Sequence, residues 1–350
     1  MPPSLATFHE QRHRRFGRSN PERMHLELWE WIVRERIDPV ELRQHYGLDA
    51  YPDDGPDWCP GDLGQPRIEL PDGRILRVAG EHEDFYDPDF CIYNHVLVQT
   101  PDDRIEIYGY PREVFPPTDF HTATLVGDRL ILIGNMGYPE DRRPGTTPVF
   151  TLDLQTYRID PVSTHGEAPG WISSHSATLD AQRSGITVSG GRVWVDPEPQ
   201  GMLKRMVDRL RRVPQSQGIL KRSVDEFRLD LTTGLWQRLT DRSDWREFEI
   251  EVPERVIVPF EKILFSNLDQ TLLPSRMQLT QIPLPEDEHV LSRRFLIEGI
   301  AVQTSWELDS VQVLIEGSLP QNTLTQLLND LRQNLINTSE LSSWSVREVR

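Results

Sequence analysis

One five-residue phrase in this chain occurs twice, and it constrains the fold more than any other feature. His121-Thr122-Ala123-Thr124-Leu125 returns 54 residues later as His175-Ser176-Ala177-Thr178-Leu179. The residues after each copy are similar too. After the first comes a turn at Val126-Gly127-Asp128 and a β-rich run, Arg129 to Ile133, stopped by Gly134-Asn135. After the second comes a turn over Asp180 to Ser184 and the run Gly185 to Ser189, stopped by Gly190-Gly191. Short β-rich runs ended by glycine read as strands ended by bends. Further on, Val149-Phe150-Thr151-Leu152-Asp153-Leu154 matches Glu226-Phe227-Arg228-Leu229-Asp230-Leu231. A polar turn comes after each run. A fourth strand then follows, Arg158-Ile159-Asp160 in one copy and Leu235 to Leu239 in the other. Each unit is therefore a meander of four short strands with a period of roughly 45–54 residues, and such a unit must stack on neighbours to bury its faces.

A more degraded unit lies upstream. Arg67 to Leu70, Arg74 to Gly80, Val96 to Val98 and Arg104 to Tyr108 supply its four strands. The glycine doublet Gly190-Gly191, the aromatic Phe227 and Trp236 six residues after Asp230 are similar to the kelch family of β-propellers. The resemblance covers about residues 66–240 and is fullest in the last unit. In the middle unit Gly134-Asn135 replaces the doublet, and Ile159 stands at the tryptophan position. The resemblance implies a mainly β fold, a kelch-like β-propeller or partial propeller. Three units are fewer than closed propellers usually have. Flanking segments then supply more strands, or the arc is open, or chains associate.

Composition sets the remaining bounds. The chain has 350 residues, long enough for two or three domains. Hydrophobic content of 37%, with 28 prolines and 22 glycines, suits a loop-rich β protein better than a helical bundle. The net charge of −17 argues against nucleic-acid binding and fits a basic partner. Cys59 and Cys91 read as thiols of a reducing compartment, which points to the cytoplasm. No apolar run is long enough to span a membrane.

In chain order, residues 1–19 read as a polar, arginine-rich mobile arm. It contains His9-Glu10-Gln11-Arg12-His13, a literal match to a zinc-protease pattern. The segment has no apolar flank to dock a helix and is crowded by positive charge, so no metal is assigned. Residues 20–65 read as a helical hairpin and linker. Asn20-Pro21-Glu22 reads as the first helix start and Asp38-Pro39-Val40-Glu41 as the second, with Gly47 as a stop. Residues 66–275 hold the blades, with strand fragments after 240 completing one. Residues 276–350 read as a small α+β unit, with leucines 324, 327, 328, 331 and 335 at helical spacing.

Candidate functional residues lie on loops. Meander strands alternate direction, so the loop after each second strand emerges on the same side as the inter-unit connections. That side collects the acidic loop with Glu81, His82, Glu83 and Asp84, the loop with Tyr138, Arg142 and Arg143, and the connection with His165 and Trp171. Carboxylates in the first loop suit a hard cation or a basic partner, but their spacing matches no calcium loop. An insertion at about 199–222 is a basic amphipathic helix by periodicity, with Lys204, Arg205, Arg209, Arg211 and Arg212 on its polar side. Such a helix either folds back onto acidic loops or meets a partner groove or an anionic membrane surface. His121 and His175 read as structural, with one ring nitrogen bonding the backbone of a neighbouring unit.

The C-terminal unit carries no phosphate loop, no CxxC and no nucleophile motif, no catalytic constellation in the chain rises above chance, and no cofactor is expected. The reading is a non-catalytic interaction scaffold that presents one loop face to a protein partner. The alternative, which the resemblance admits, is a kelch-type enzyme acting on a small molecule such as a sugar, with or without metal assistance.

Overall fold

The computed structural model describes residues 1–49, 56–59, 63–82, 91–195, 218–251, 271–283, 292–307, 310–339 and 344–349. The chain divides into two compact units, Met1–Leu239 and Thr240–Arg350.

The first unit is built on three antiparallel meanders. The first sheet orders Arg67–Glu69, Ile75–Val78, Val96–Gln99 and Ile105–Gly109, and Glu22–Met24 adds a strand beside the last. The second sheet orders Thr122–Val126, Arg129–Ile133, Val149–Asp153 and Ile159–Pro161. The third orders Ser176–Leu179, Gly185–Ser189, Glu226–Asp230 and Leu235–Arg238, with His165–Gly166 running parallel beside the last. The echo keeps its register, because Thr122 faces Ile133 as Ser176 faces Ser189.

Alternation along the strands gives each sheet two faces. Leu76, Val78, Val96 and Val98 of the first sheet meet Leu130, Leu132, Leu152 and Ile159 of the second. The opposite face of the second sheet, Ile131, Ile133 and Val149, meets Ile186, Val188, Phe227, Leu229 and Trp236 of the third. The two ends of this stack are finished differently. On the first sheet, Leu97, Ile105 and Ile107 are covered by Phe8, Leu28, Trp29, Ile32 and Trp58. On the third, the outer rows are polar: Thr178, Thr187, Arg228 and Gln237 in one, Ser176, Ser189 and Glu226 in the next. A stacked array needs its terminal faces covered or made polar, and this one uses both devices.

A backbone ladder ties the meanders together. The Phe120 N–H donates to the Gly64 carbonyl, and the Ser174 N–H donates to the Phe120 carbonyl, each at 2.8 Å. All three residues have positive φ: Gly64 +62°, Phe120 +47° and Ser174 +53°.

The N-terminal residues depart from the expected mobile arm. Leu5–Gln11 is a helix (α1), capped by the Ser4 hydroxyl on the Thr7 N–H at 3.1 Å, and it buries Phe8 completely. Behind it Arg12 and Arg43 share the buried Asp57 carboxylate, at 2.5 and 3.0 Å. The apolar flank is hard to see in the sequence because Phe8 supplies nearly all of it. The helix ends at Gln11, so His9 and His13 do not share a helical face. The expected start at Asn20 is also not a helix start. Glu22–Met24 is a strand, and the Asn20 amide instead brackets the Ile159 backbone, donating at 2.6 Å and accepting at 2.9 Å. The helices are Glu27–Glu35 (α2) and Pro39–His45 (α3), the latter capped by Asp38.

The second unit starts earlier than the expected 276. Arg246–Glu251 does not complete a blade. It lies inside a six-stranded antiparallel sheet between Ser310–Ile315 and Ser345–Glu348. Ser292–Ile297 and Ile300–Glu307 continue that sheet to a short edge at Thr280–Gln281. Helix Gln321–Ser339 (α4) packs Leu324, Leu327, Leu331 and Leu335 on Phe248, Ile250, Val302 and Val313. Helix α4 on this sheet makes the described part of the unit α+β, with its boundary at 240.

Candidate functional site

The connection after each second strand is elaborated in all three meanders. In the first, Glu81–His82 pairs with Cys91–Ile92 as a hairpin. In the second, residues 134–148 form a loop with a single 3-10 turn, Pro139–Asp141. In the third, Arg192–Val195 pairs with Ile219–Arg222, and Trp171–Ser173 joins it as a third strand.

Side chains cross-tie these segments. The Ile92 N–H donates to the Tyr138 hydroxyl at 2.9 Å, and Arg14 donates to the same hydroxyl at 3.0 Å. The Trp171 indole donates to the Met136 carbonyl at 3.1 Å. Arg142 donates to the Met136 carbonyl (2.9 Å) and the Gly137 carbonyl (3.0 Å), and its guanidinium carbon lies 4.5 Å from the Trp194 ring centre. Rigid loops on a layered scaffold are the usual place for recognition.

Asp119 sits at the centre. It is 1% exposed, Glu81 4% and Asn135 1%. Its N–H donates to the Asn135 side-chain oxygen at 3.0 Å, and its carbonyl accepts from the Met136 N–H at 3.0 Å. Its Oδ1 accepts from the Gly137 N–H at 2.6 Å. Its carboxyl also meets the Glu81 side chain. Burial pushes this carboxyl above the ordinary value. The Gly137 N–H, Glu81 and Arg142 pull the other way and do not prevail. Burial likewise pulls Arg142 below the ordinary guanidinium value, opposed by Asp119 and Glu140.

The expected site residues divide. Glu81, His82, Tyr138, Arg142 and Trp171 come together at this end, but as packed or hydrogen-bonded structure. Glu81, His82 and Trp171 are buried. Arg143 is exposed there, with one nitrogen on the Glu140 and Arg142 carbonyls. His165 is exposed but stands apart, on the strand that flanks Leu235–Arg238. Glu83, Asp84, Lys204, Arg205, Arg209, Arg211 and Arg212 lie outside the described residues.

Sequence reasoning missed Asp119, Asn135, Arg14 and Trp194. For Asp119 a signal existed. It stands two residues before His121, where the other copy has Ser173, so the repeat itself marks it as a departure. Arg14 carried no signal, since it lies in a segment whose composition reads as a mobile arm.

The repeated histidines are not equivalent. His175 Nε2 shares a 3.0 Å hydrogen bond with Thr122 Oγ1, tying the third meander to the second through a side chain and not through the expected backbone group. His121 is buried with no hydrogen-bond partner at either ring nitrogen among the described residues. Burial, reinforced by His175, pulls its pKa down to about 3, so it is neutral. Among the described residues no group of three or more His, Cys, Asp or Glu side chains is placed to hold a metal ion. No helix among them is long and apolar enough to cross a membrane.

No family model matches the chain. No curated protein matches it. Among solved structures, one described as "Structure of YjhT" aligns with 77% of this chain and 69% of its own, at 11% identity and a TM-score of 0.35. A similarity that slight carries no argument.

Proposed function

We propose that this chain is a binding scaffold of kelch-like, open construction, which offers the loop end of its three stacked meanders to a protein partner. The observation that carries the reading is the cross-tying of the three loops. Tyr138 and Trp171 spend their polar groups on neighbouring loops, and Arg142 braces its own loop while lying over the Trp194 ring, which fixes one surface from three separate sheets. A prearranged surface binds with less ordering loss than mobile loops would.

Contacts to a partner then fall to the groups left outward. Arg112, Glu140 and Arg143 are exposed on this end, and Arg112 also pairs with Asp141 at 2.8 Å. The test is affinity capture with wild-type chain and with a variant carrying Arg112→Ala, Glu140→Ala and Arg143→Ala, both shown to be folded. The expected result is loss of specific partners in the variant. Identical partner lists overturn the single-face reading. Replacing Tyr138, Arg142 or Trp171 is a poor test, because it disturbs the scaffold as well as the surface.

A further inference from the structure

We propose that Glu81 and Asp119 hold one proton between them, and that losing it loosens the 134–148 loop from the hairpin of Glu81–His82 and Cys91–Ile92. The geometry makes the proton necessary. Asp119 Oδ1 receives the Gly137 N–H, but Asp119 Oδ2 is buried and receives no donor among the described residues. The Asp119 carboxyl meets another buried carboxyl, Glu81, on the two-stranded hairpin beside the first sheet. Two carboxylates pressed together away from water repel, and a buried acceptor without a donor is destabilising. One proton on either oxygen turns that repulsion into a hydrogen bond between the hairpin and the residue that anchors the loop.

The rest of the surroundings supports this. Arg142 faces Asp119, and it is itself drawn toward Glu140. Its hydrogen bonds go to the Met136 and Gly137 carbonyls and not to the carboxyls. His82 follows Glu81 on the hairpin and is buried, and Arg14 reaches this end through the Tyr138 hydroxyl. Burial raises Asp119 above the ordinary carboxylate value, so its contribution is present at low pH and is lost as pH rises through the raised value. The consequence for binding rests on the reading of this end as the working surface: the surface is tight at low pH and looser at high pH.

Hydrogen exchange at the Gly137 amide of the full chain reads the contact directly. After correction for the intrinsic pH dependence of exchange, the wild type should show a further rise of about tenfold or more as pH increases, one pKa unit of coupling being tenfold. Asp119→Asn should abolish the step, since the amide keeps an oxygen for Gly137 and donates permanently to Glu81. A flat wild-type profile, or a step that survives in Asp119→Asn, overturns the proposal. Should that variant not fold, carbon-13 labelling of the wild-type aspartate carboxyls gives a second readout. Asp119 must then titrate above the other aspartates, and an ordinary titration overturns the proposal equally. Partner capture by the Arg112, Glu140 and Arg143 variant is independent of this exchange step, so either idea can fail alone.

Discussion

The two copies of the repeated phrase share a backbone and differ in their interiors. Phe120 and Ser174 each donate to the preceding unit at 2.8 Å from a left-handed conformation, and each opens a strand with the same pairing. The side chains part ways. His175 is bonded to Thr122, whereas His121 has no partner among the described residues. Two residues upstream, Asp119 anchors a loop where Ser173 does not. The repeat is strict where main-chain hydrogen bonding fixes the geometry, and it relaxes where only a side chain is at stake.

Acid should break the equivalence most strongly. His95 is buried edge-on to Trp29 with Nε2 against the Arg15 carbonyl at 2.7 Å; burial holds it down to about 4 and His121 down to about 3, against an ordinary value near 6.5. Both pKa values are depressed on folding, so stability is present above about 6.5 and falls as pH drops toward the folded values. Between pH 7 and pH 5 each imidazole should remove about 2 kcal/mol, roughly 4 kcal/mol together. Urea unfolding followed by tryptophan fluorescence at the two pH values checks this. His121→Leu should remove about half of the acid sensitivity and, by deleting two unsatisfied nitrogens, raise stability at pH 7 by about 1 kcal/mol. His175→Leu should lower it by about 1 kcal/mol, since it orphans Thr122. Shifts of the same sign in the two variants would mean that the copies are equivalent after all.

The glycines that end the second strands give the next contrast. Gly134 and Gly190 occupy matching places in the repeat, both at positive φ, +84° and +68°. A β-carbon at Gly134 would collide with the Ile172 carbonyl oxygen, whereas nothing lies within 4 Å at Gly190. In the third sheet the tight place has moved one residue, to Gly191, where the obstacle is the Ser173 carbonyl oxygen. Gly134→Ala should therefore cost about 3 kcal/mol and Gly190→Ala about 1 kcal/mol, measured by thermal unfolding. Equal losses would show that conformation alone, and not the close approach of the neighbouring sheet, selects glycine here.

These contrasts also explain what could be read in the sequence. Strands and registers were legible because alternation and turn chemistry are local, and the Asp38 cap and the leucine spacing of α4 were legible for the same reason. The boundary at 240 was not. Arg246–Glu251 looks like any strand, and only its pairing with Ser310–Ile315, some 60 residues on, assigns it to the second unit. Residues 1–19 failed for a related cause, since Phe8 and Arg12 find their partners in distant segments. At the candidate site the common side of the loops was legible from strand direction, but the roles of Tyr138, Arg142 and Trp171 were not. A side chain that recognises a partner and one that staples two loops have the same composition, and only contacts separate them.

The smallest effects belong to the turns at the other end of the meanders, where the repeat is most faithful. Asp153 Oδ1 accepts from the Gln155 N–H (3.1 Å), the Thr156 N–H (2.7 Å) and the Thr156 hydroxyl (2.7 Å). Asp230 Oδ1 accepts from Thr232 and Thr233 in the same pattern, at 3.0, 2.8 and 2.9 Å. Hydrogen bonds to the charged form hold both carboxyls below the ordinary value, so the turns weaken as pH falls toward it. These donors are exposed, and water replaces a lost hydroxyl at little cost. Thr156→Ala and Thr233→Ala should therefore shift the thermal midpoint by equal amounts, each less than Gly190→Ala. A marked inequality between them would place a side-chain difference even here, and would confine the strict part of the repeat to the backbone ladder of Gly64, Phe120 and Ser174.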